Sequence, residues 1–254
     1  MLKKVFICLL CVSGSWVSFY ANFAFASATQ EIEGASKEKN VAFVLVFEPQ
    51  ASQMDQAREV ISDALKKVPG SVKIELDRSD AENSDFVKKY RLLTAPVPLI
   101  LVASSTGVIT GGVNMANATP DRLVKLVPSP KKSEIIKELS QGRAVLITAG
   151  RKTMKSVQTV NSACDAACEK MEGKLAYVMI DLDDKAEKNF LNEMGFDMNA
   201  AEPMTLVANA MGQISGRFMG AIQSDELVAA ATRKMGGCCP ASVSKPKPSC
   251  GPVK

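Results

Sequence analysis

The chain has 254 residues, 46% hydrophobic and 23% charged, with a formal net charge of +4 and no histidine. That length holds one large domain or two of about 100 residues. The missing histidine excludes Ser-His-Asp and Cys-His catalysis, His-ligated zinc and C-x-x-C-H haem attachment. So small a net charge leaves no electrostatic footprint for nucleic acid. No G-x-x-x-x-G-K-[ST] loop occurs, nor a G-x-G-x-x-G after a strand, which argues against a nucleotide enzyme.

At the N-terminus, "MLKK" precedes "VFICLLCVSGSWVSFYANFAFASA": two positive charges, an apolar run and small residues spaced A-x-A. Residues 1–28 therefore read as a secretory signal peptide cleaved after Ala26 or Ala28. The residues before Cys8 and Cys11 form no lipoprotein box, so no stable membrane anchor is expected after cleavage. The alternative is an uncleaved anchor helix, since no charge falls between Lys4 and Glu31 and about 20 apolar residues span a bilayer. Removal of the leader predicts a periplasmic or secreted protein in an oxidising setting. It lowers the net charge to about +2 and leaves Cys164, Cys168, Cys238, Cys239 and Cys250. Five is odd, so at least one thiol is free, metal-bound or paired with another molecule.

Beyond the leader the predicted elements are a strand (41–47), helix (about 52–68), strand (72–77), helix (about 82–91), hairpin (98–112) and helix (about 119–127). A Pro-marked boundary and an amphipathic helix with Ile135, Ile136 and Leu139 on one face occupy 128–142. A second series follows: strand (143–149), helix (about 153–172), strand (175–182), helix (about 184–195), hairpin (203–217) and helix (about 223–235). The domains are thus 29–127 and 128–236, with a tail at 237–254.

The two series repeat one another. "PLILVASSTGVITGG" (98–112) and "PMTLVANAMGQISGR" (203–217) align without gaps at a shift of 105, and seven of fifteen positions agree, where chance gives about one. "VKIELDRSD" (72–80) matches "AYVMIDLDD" (176–184) at a shift of 104, each an apolar strand ending in Asp. Each unit is an α/β module in which β-α-β is followed by α-β-β-α. This order resembles the thioredoxin-like superfamily over about 41–235. The resemblance implies two tandem α/β domains, each with a mixed sheet flanked by helices, and makes Pro98 and Pro203 the candidates for the cis-proline that opens the hairpin.

The resemblance also implies a C-x-x-C at the start of the first helix, where a helix N-terminus lowers a thiol's pKa. The chain departs from it there. The positions read "FEPQASQMDQ" (47–56) and "AGRKTMKSVQ" (149–158), with no cysteine. Standard oxidoreductase activity is therefore not expected. The pattern is closer to the non-catalytic domains of protein disulfide isomerases or to tandem binding domains.

Cys164 and Cys168, in "ACDAAC", share one helical face at i, i+4. At a shift of 103 they take the places of Ile61 and Leu65 on the apolar stripe. Core packing is the favoured role, since free cysteine behaves as a small hydrophobe; a soft-metal or redox pair is the other. Acid clusters at Asp77/Asp80 and Asp181/Asp183/Asp184 end equivalent strands and read as solvated turns.

The tail, "GGCCPASVSKPKPSCGPVK", carries Cys238, Cys239 and Cys250 among prolines that forbid helix. An adjacent cysteine pair suits exchange better than stapling, and Lys234, Lys245 and Lys247 favour thiolate formation. Three thiolates without histidine suit a soft cation such as Cu(I), and nine of the twelve methionines lie at or after Met154. The arrangement is similar, as a device, to the cysteine-paired tails of mercuric and thioredoxin reductases. The leading expectation is thiol chemistry through this arm, with Cys238 and Cys239 primary and Cys250 resolving or third ligand, acting on a soft metal or on an envelope protein or other thiol partner. The alternative is a non-enzymatic binding or scaffold protein that uses the domain surfaces.

Overall fold

The computed structural model of the chain describes residues 27–234. Cys8 and Cys11, and the arm cysteines Cys238, Cys239 and Cys250, lie outside the described residues.

The first domain opens with an element that the sequence pattern does not reveal. Residues Ala28–Lys37 form a helix, α1, that no predicted element covered. Its signal is faint: Ile32, Ala28 and Ala35 are the buried side chains of a ten-residue segment that also contains Gly34. Ser27 caps it, accepting from the Gln30 amide at 3.4 Å while Gln30 Oε1 accepts from the Ser27 N–H at 3.2 Å, a reciprocal capping box. Strand β1 (Val41–Phe47) follows, then α2 (Met54–Lys67), β2 (Ser71–Asp77), α3 (Ser84–Lys89), the hairpin β3 (Leu99–Ala103) and β4 (Ile109–Asn114), and α4 (Pro120–Leu126).

The second domain repeats this series: α5 (Pro130–Ser140), β5 (Ala144–Gly150), α6 (Val157–Lys170), β6 (Leu175–Asp181), α7 (Lys188–Glu193), β7 (Met204–Ala208), β8 (Ile214–Met219) and α8 (Ser224–Ala231). The helix at 130–140 is therefore the counterpart of α1. Helix α6 starts at Val157 rather than near 153, because the preceding loop turns Met154 inward, where its sulfur accepts from the Arg151 amide at 3.3 Å. Helix α7 starts four residues later than predicted; Asp184 instead closes a local turn by accepting from the Ala186 amide at 2.9 Å.

Each domain holds a four-stranded sheet, ordered β2-β1-β3-β4 and β6-β5-β7-β8. The first two strands of each chain order run parallel, and the central strand pairs antiparallel with the hairpin. The central strands, VAFVLVF and AVLITAG, are buried along almost their whole length because helices cover both faces. Alternation sorts the side chains. Phe43 and Leu45 face α2 and α4, whereas Ala42, Val44 and Val46 face α1 and α3. In the second domain Leu146 faces α6 and α8, and Val145, Ile147 and Ala149 face α5 and α7. Among the described residues no helix is long and apolar enough to cross a membrane.

One buried polar contact recurs at the start of each domain. Asn83 accepts the Ala28 N–H at 3.0 Å and donates to the Asp77 carbonyl at 3.0 Å. At the repeat-equivalent position, fully buried Glu187 accepts the Lys131 N–H at 2.8 Å and the Ser129 hydroxyl at 2.6 Å. Both side chains satisfy a helix N-terminal amide that has no intrahelical partner. Removing the acceptor strands donors that are buried or partly buried, which costs about 1–3 kcal/mol. Glu187→Ala is therefore expected to lower the stability of the second domain by about 2 kcal/mol in urea unfolding, and Glu187→Gln to restore much of that, as an amide serves in the first domain. Equal losses for the two variants would contradict the contact's proposed role.

Candidate functional site

The sequence points to three places: the loops that open α2 and α6, the two cysteines of α6, and the arm. The loops come first, because a redox thiol in this topology would stand there. Helix α2 is entered through Gln53, held in the left-handed region at φ 66°, with no side-chain cap. Helix α6 is entered through Ser156, again without a side-chain cap. In the second domain Met154 is buried, and Gly150 has Pro203, Met179 and Met154 around it. A Cβ at Gly150 would come within 2.9 Å of Pro203 Cβ and 3.5 Å of Met154 Sδ. Two methionine side chains and a proline thus stand over Gly150.

The hairpins differ at their prolines. The Val97–Pro98 bond is cis. Among the described residues no cis bond precedes Pro203, so Pro203 departs from the expectation drawn from the repeat. Its carbonyl accepts the Gly220 amide at 2.8 Å, and its ring packs on Gly150 where the first domain has Phe47.

Above each sheet an ion pair ties the strand ends to the loop before the hairpin, with its polarity reversed between domains. In the first, Arg78 meets Glu48 at 2.6 Å and donates to the Leu92 and Ala95 carbonyls at 2.9 and 2.6 Å. In the second, Arg151 meets Asp183 at 3.0 Å and donates to the Met198 carbonyl at 2.7 Å. The acid clusters at the strand ends are thereby absorbed in part by structural contacts: Asp77 accepts from the Ser79 amide at 2.8 Å and Asp181 from the Asp183 amide at 3.0 Å.

Cys164 is fully buried and Cys168 half-buried on α6, and they are not bonded to each other. Burial pushes the Cys164 thiol up to about 12, with the Thr148 hydroxyl opposing the shift. Cys168 moves the same way, again chiefly through burial, with Asp165 adding to it. A thiol held protonated at neutral pH is a poor nucleophile and a poor metal ligand. Among the described residues no group of three or more Cys, Asp or Glu side chains could hold a metal.

The surroundings of Cys164 explain its presence. Thr148 and Thr205 face each other across β5 and β7 with hydroxyl oxygens 2.9 Å apart, and the Cys164 sulfur lies 3.8 Å from Thr148 Oγ1. The equivalent residues of the first domain are Leu45, Ile100 and Ile61, all fully buried. A whole apolar trio has been exchanged for a small polar one. Sequence alignment located Cys164 on the apolar stripe but passed over the two threonines that accompany it.

The parallel pair, the antiparallel hairpin and the helices on both faces now stand together, in two copies. The fold is thioredoxin-like. No protein-family model matches the chain, and a search of characterised proteins returned no relative. Solved structures similar to it are thioredoxin-domain proteins at low identity. The first two thioredoxin domains of Saccharomyces cerevisiae Eps1p are 13% identical, over 82% of this chain and 97% of that one, with a TM-score of 0.30. The zinc-bound form of human ERp44 is 10% identical over 81% of this chain and 56% of that one, with a TM-score of 0.36. Thioredoxin from Trypanosoma brucei brucei is 20% identical over 44% and 88%, with a TM-score of 0.31. The fold is evident from strand order and pairing within this chain.

The polar trio makes a direct prediction. Thr148→Val leaves the Thr205 hydroxyl buried without its partner and should cost about 1–3 kcal/mol. Adding Thr205→Val should cost less than the sum of the two single changes, giving a coupling of about 1 kcal/mol in a double-mutant cycle. Strict additivity would mean that the hydroxyl pair contributes nothing as a pair.

Proposed function

We propose that this is an exported protein whose thiol chemistry resides in its C-terminal arm, carried by two thioredoxin-like domains that have no redox motif of their own. The observation that carries the reading is the withdrawal of Cys164 into the core, with its thiol pushed up to about 12. Cys168 is half-buried and shifted the same way, so Cys238, Cys239 and Cys250 are the thiols left to act.

Two chemistries suit them. Three sulfur donors without histidine suit a soft cation such as Cu(I). In exchange, the thiolate of Cys238 or Cys239 attacks one sulfur of a partner disulfide and expels the other as a thiolate. Cys250 then attacks the arm's own sulfur in the mixed disulfide. The arm ends as a disulfide, and the partner gains two electrons and leaves as a dithiol.

A chain ending at Met235 tests this. It should keep its far-ultraviolet circular dichroism while losing Cu(I) capture from a bathocuproine competitor and exchange with glutathione disulfide. Undiminished capture and exchange by the shortened chain would place the chemistry in the domains and defeat the reading.

Export through the leader carries its own prediction. Cleavage after Ala26 preserves the Ser27 cap and the Ala28 N–H that Asn83 accepts, whereas cleavage after Ala28 would discard both. N-terminal sequencing of the protein from its native envelope is expected to begin at Ser27. A start at Thr29 would contradict this, and an intact Met1 would contradict export by cleavage. The second reading, a binding role for the domain surfaces, is favoured by exposed Met211, which leaves 67% of its surface to solvent beside the root of the arm.

A further inference from the structure

The two domains differ at the tip of their hairpins. In the first, residues 105–107 are half-buried, and Thr106 Oγ1 donates to the Ser133 carbonyl of α5 at 3.2 Å. The first helix of the second domain therefore lies over the hairpin turn of the first. In the second, residues 210–213 are exposed, and Met211 stands at the position of Thr106. The turn that is covered in the first domain is left open in the second.

Beside this turn is a groove of about 530 Å3. Ala144, Met171 and Ala231 give it an apolar floor, and Lys174, Arg233 and Lys234 stand exposed around it. No Asp or Glu lines it. Among the described residues none of the three cations makes an ion pair. Residues 1–26 and 235–254 contain neither Asp nor Glu, so no side chain there can neutralise them.

Apolar surface next to uncompensated positive charge selects a ligand with the complementary parts, an apolar side chain and carboxylates beside it. The volume lies within the range of about 300–1,000 Å3 typical of ligand sites. The groove is open to solvent, which suits a stretch of polypeptide lying across it. The chain's own tail fits poorly, because Lys245, Lys247 and Lys254 would meet Lys174, Arg233 and Lys234.

We propose that this groove docks an acidic, apolar-tipped peptide segment of a partner protein. Cys238 follows Lys234 by four residues, at most about 14 Å of extended chain, so a docked segment lies within reach of the first arm thiol. The docking does not depend on the arm's chemistry.

The test is selection of phage-displayed random dodecapeptides on the folded full-length protein, followed by affinity measurement of the enriched peptides. They should carry carboxylates around an apolar residue. Their affinity should fall at least about tenfold with Lys174→Glu plus Lys234→Glu, and by a similar factor with Met211→Asp. Lys152→Glu plus Lys185→Glu, exposed lysines outside the groove, should leave it unchanged, as should replacement of Cys238, Cys239 and Cys250 by serine. Equal loss with both lysine pairs would mean unspecific charge attraction. That result, no loss with the groove variants, enriched peptides lacking carboxylates, or no enrichment at all would each overturn the proposal. Displacement of the selected peptides by a synthetic peptide of residues 235–254 would make the tail the occupant and overturn it as well.

Discussion

In each domain one buried polar side chain holds the start of the leading helix. Asn83 and Glu187 sit in the loop after the second strand and reach across to the amides of Ala28 and Lys131. A helix N-terminus brought against a sheet carries amides that must be satisfied there or pay for desolvation. These two residues meet that demand and so fix where α1 and α5 lie. Everything on that face follows: Ile32 and Ile135 enter the core, and the helices meet the turn glycines, Gly107 coming near Ser36 and Gly212 near Leu139. Gly107 and Gly212 both have positive φ, 80° and 76°, as tight hairpin turns require.

On the opposite face the two domains differ. Leu45, Ile61 and Ile100 fill the first domain with hydrocarbon, while Thr148, Cys164 and Thr205 fill the second with smaller, hydrogen-bonded groups. The exchange is coordinated, since one polar atom alone in that place would have been left without a partner. Cys164 is best understood as the third member of this set. Its burial separates the cysteine content of the body from that of the arm, and the functional argument turns on that separation.

Much of this architecture was legible in the sequence. Strands β1 and β5 announce themselves as unbroken apolar runs, and the hairpins as a fifteen-residue match. Helix α1 was not legible, because ATQEIEGASK offers three buried positions and a glycine, and follows directly on an apparent leader. The start of α6 is not legible either, because "RKTMKS" has helical composition, while Met154 turns inward and accepts from the Arg151 amide. The repeat also leads the sequence to treat Pro98 and Pro203 alike, although only the bond before Pro98 is cis among the described residues. The groove was invisible for a different reason. Lys174, Met211 and Lys234 are far apart in sequence, and exposure depends on what no neighbour covers.

The reversed ion pairs bear on how a chain with two copies of one fold assembles correctly. Tandem repeats can exchange equivalent strands while folding. Were β1 to settle beside β6, Glu48 would face Asp183; were β5 to settle beside β2, Arg151 would face Arg78. Each error sets like charges together at the strand ends, where the native pairing sets opposite ones. The mirror-image wiring of the two domains thus opposes exchange of strand ends, by the modest amount that partly exposed charges supply.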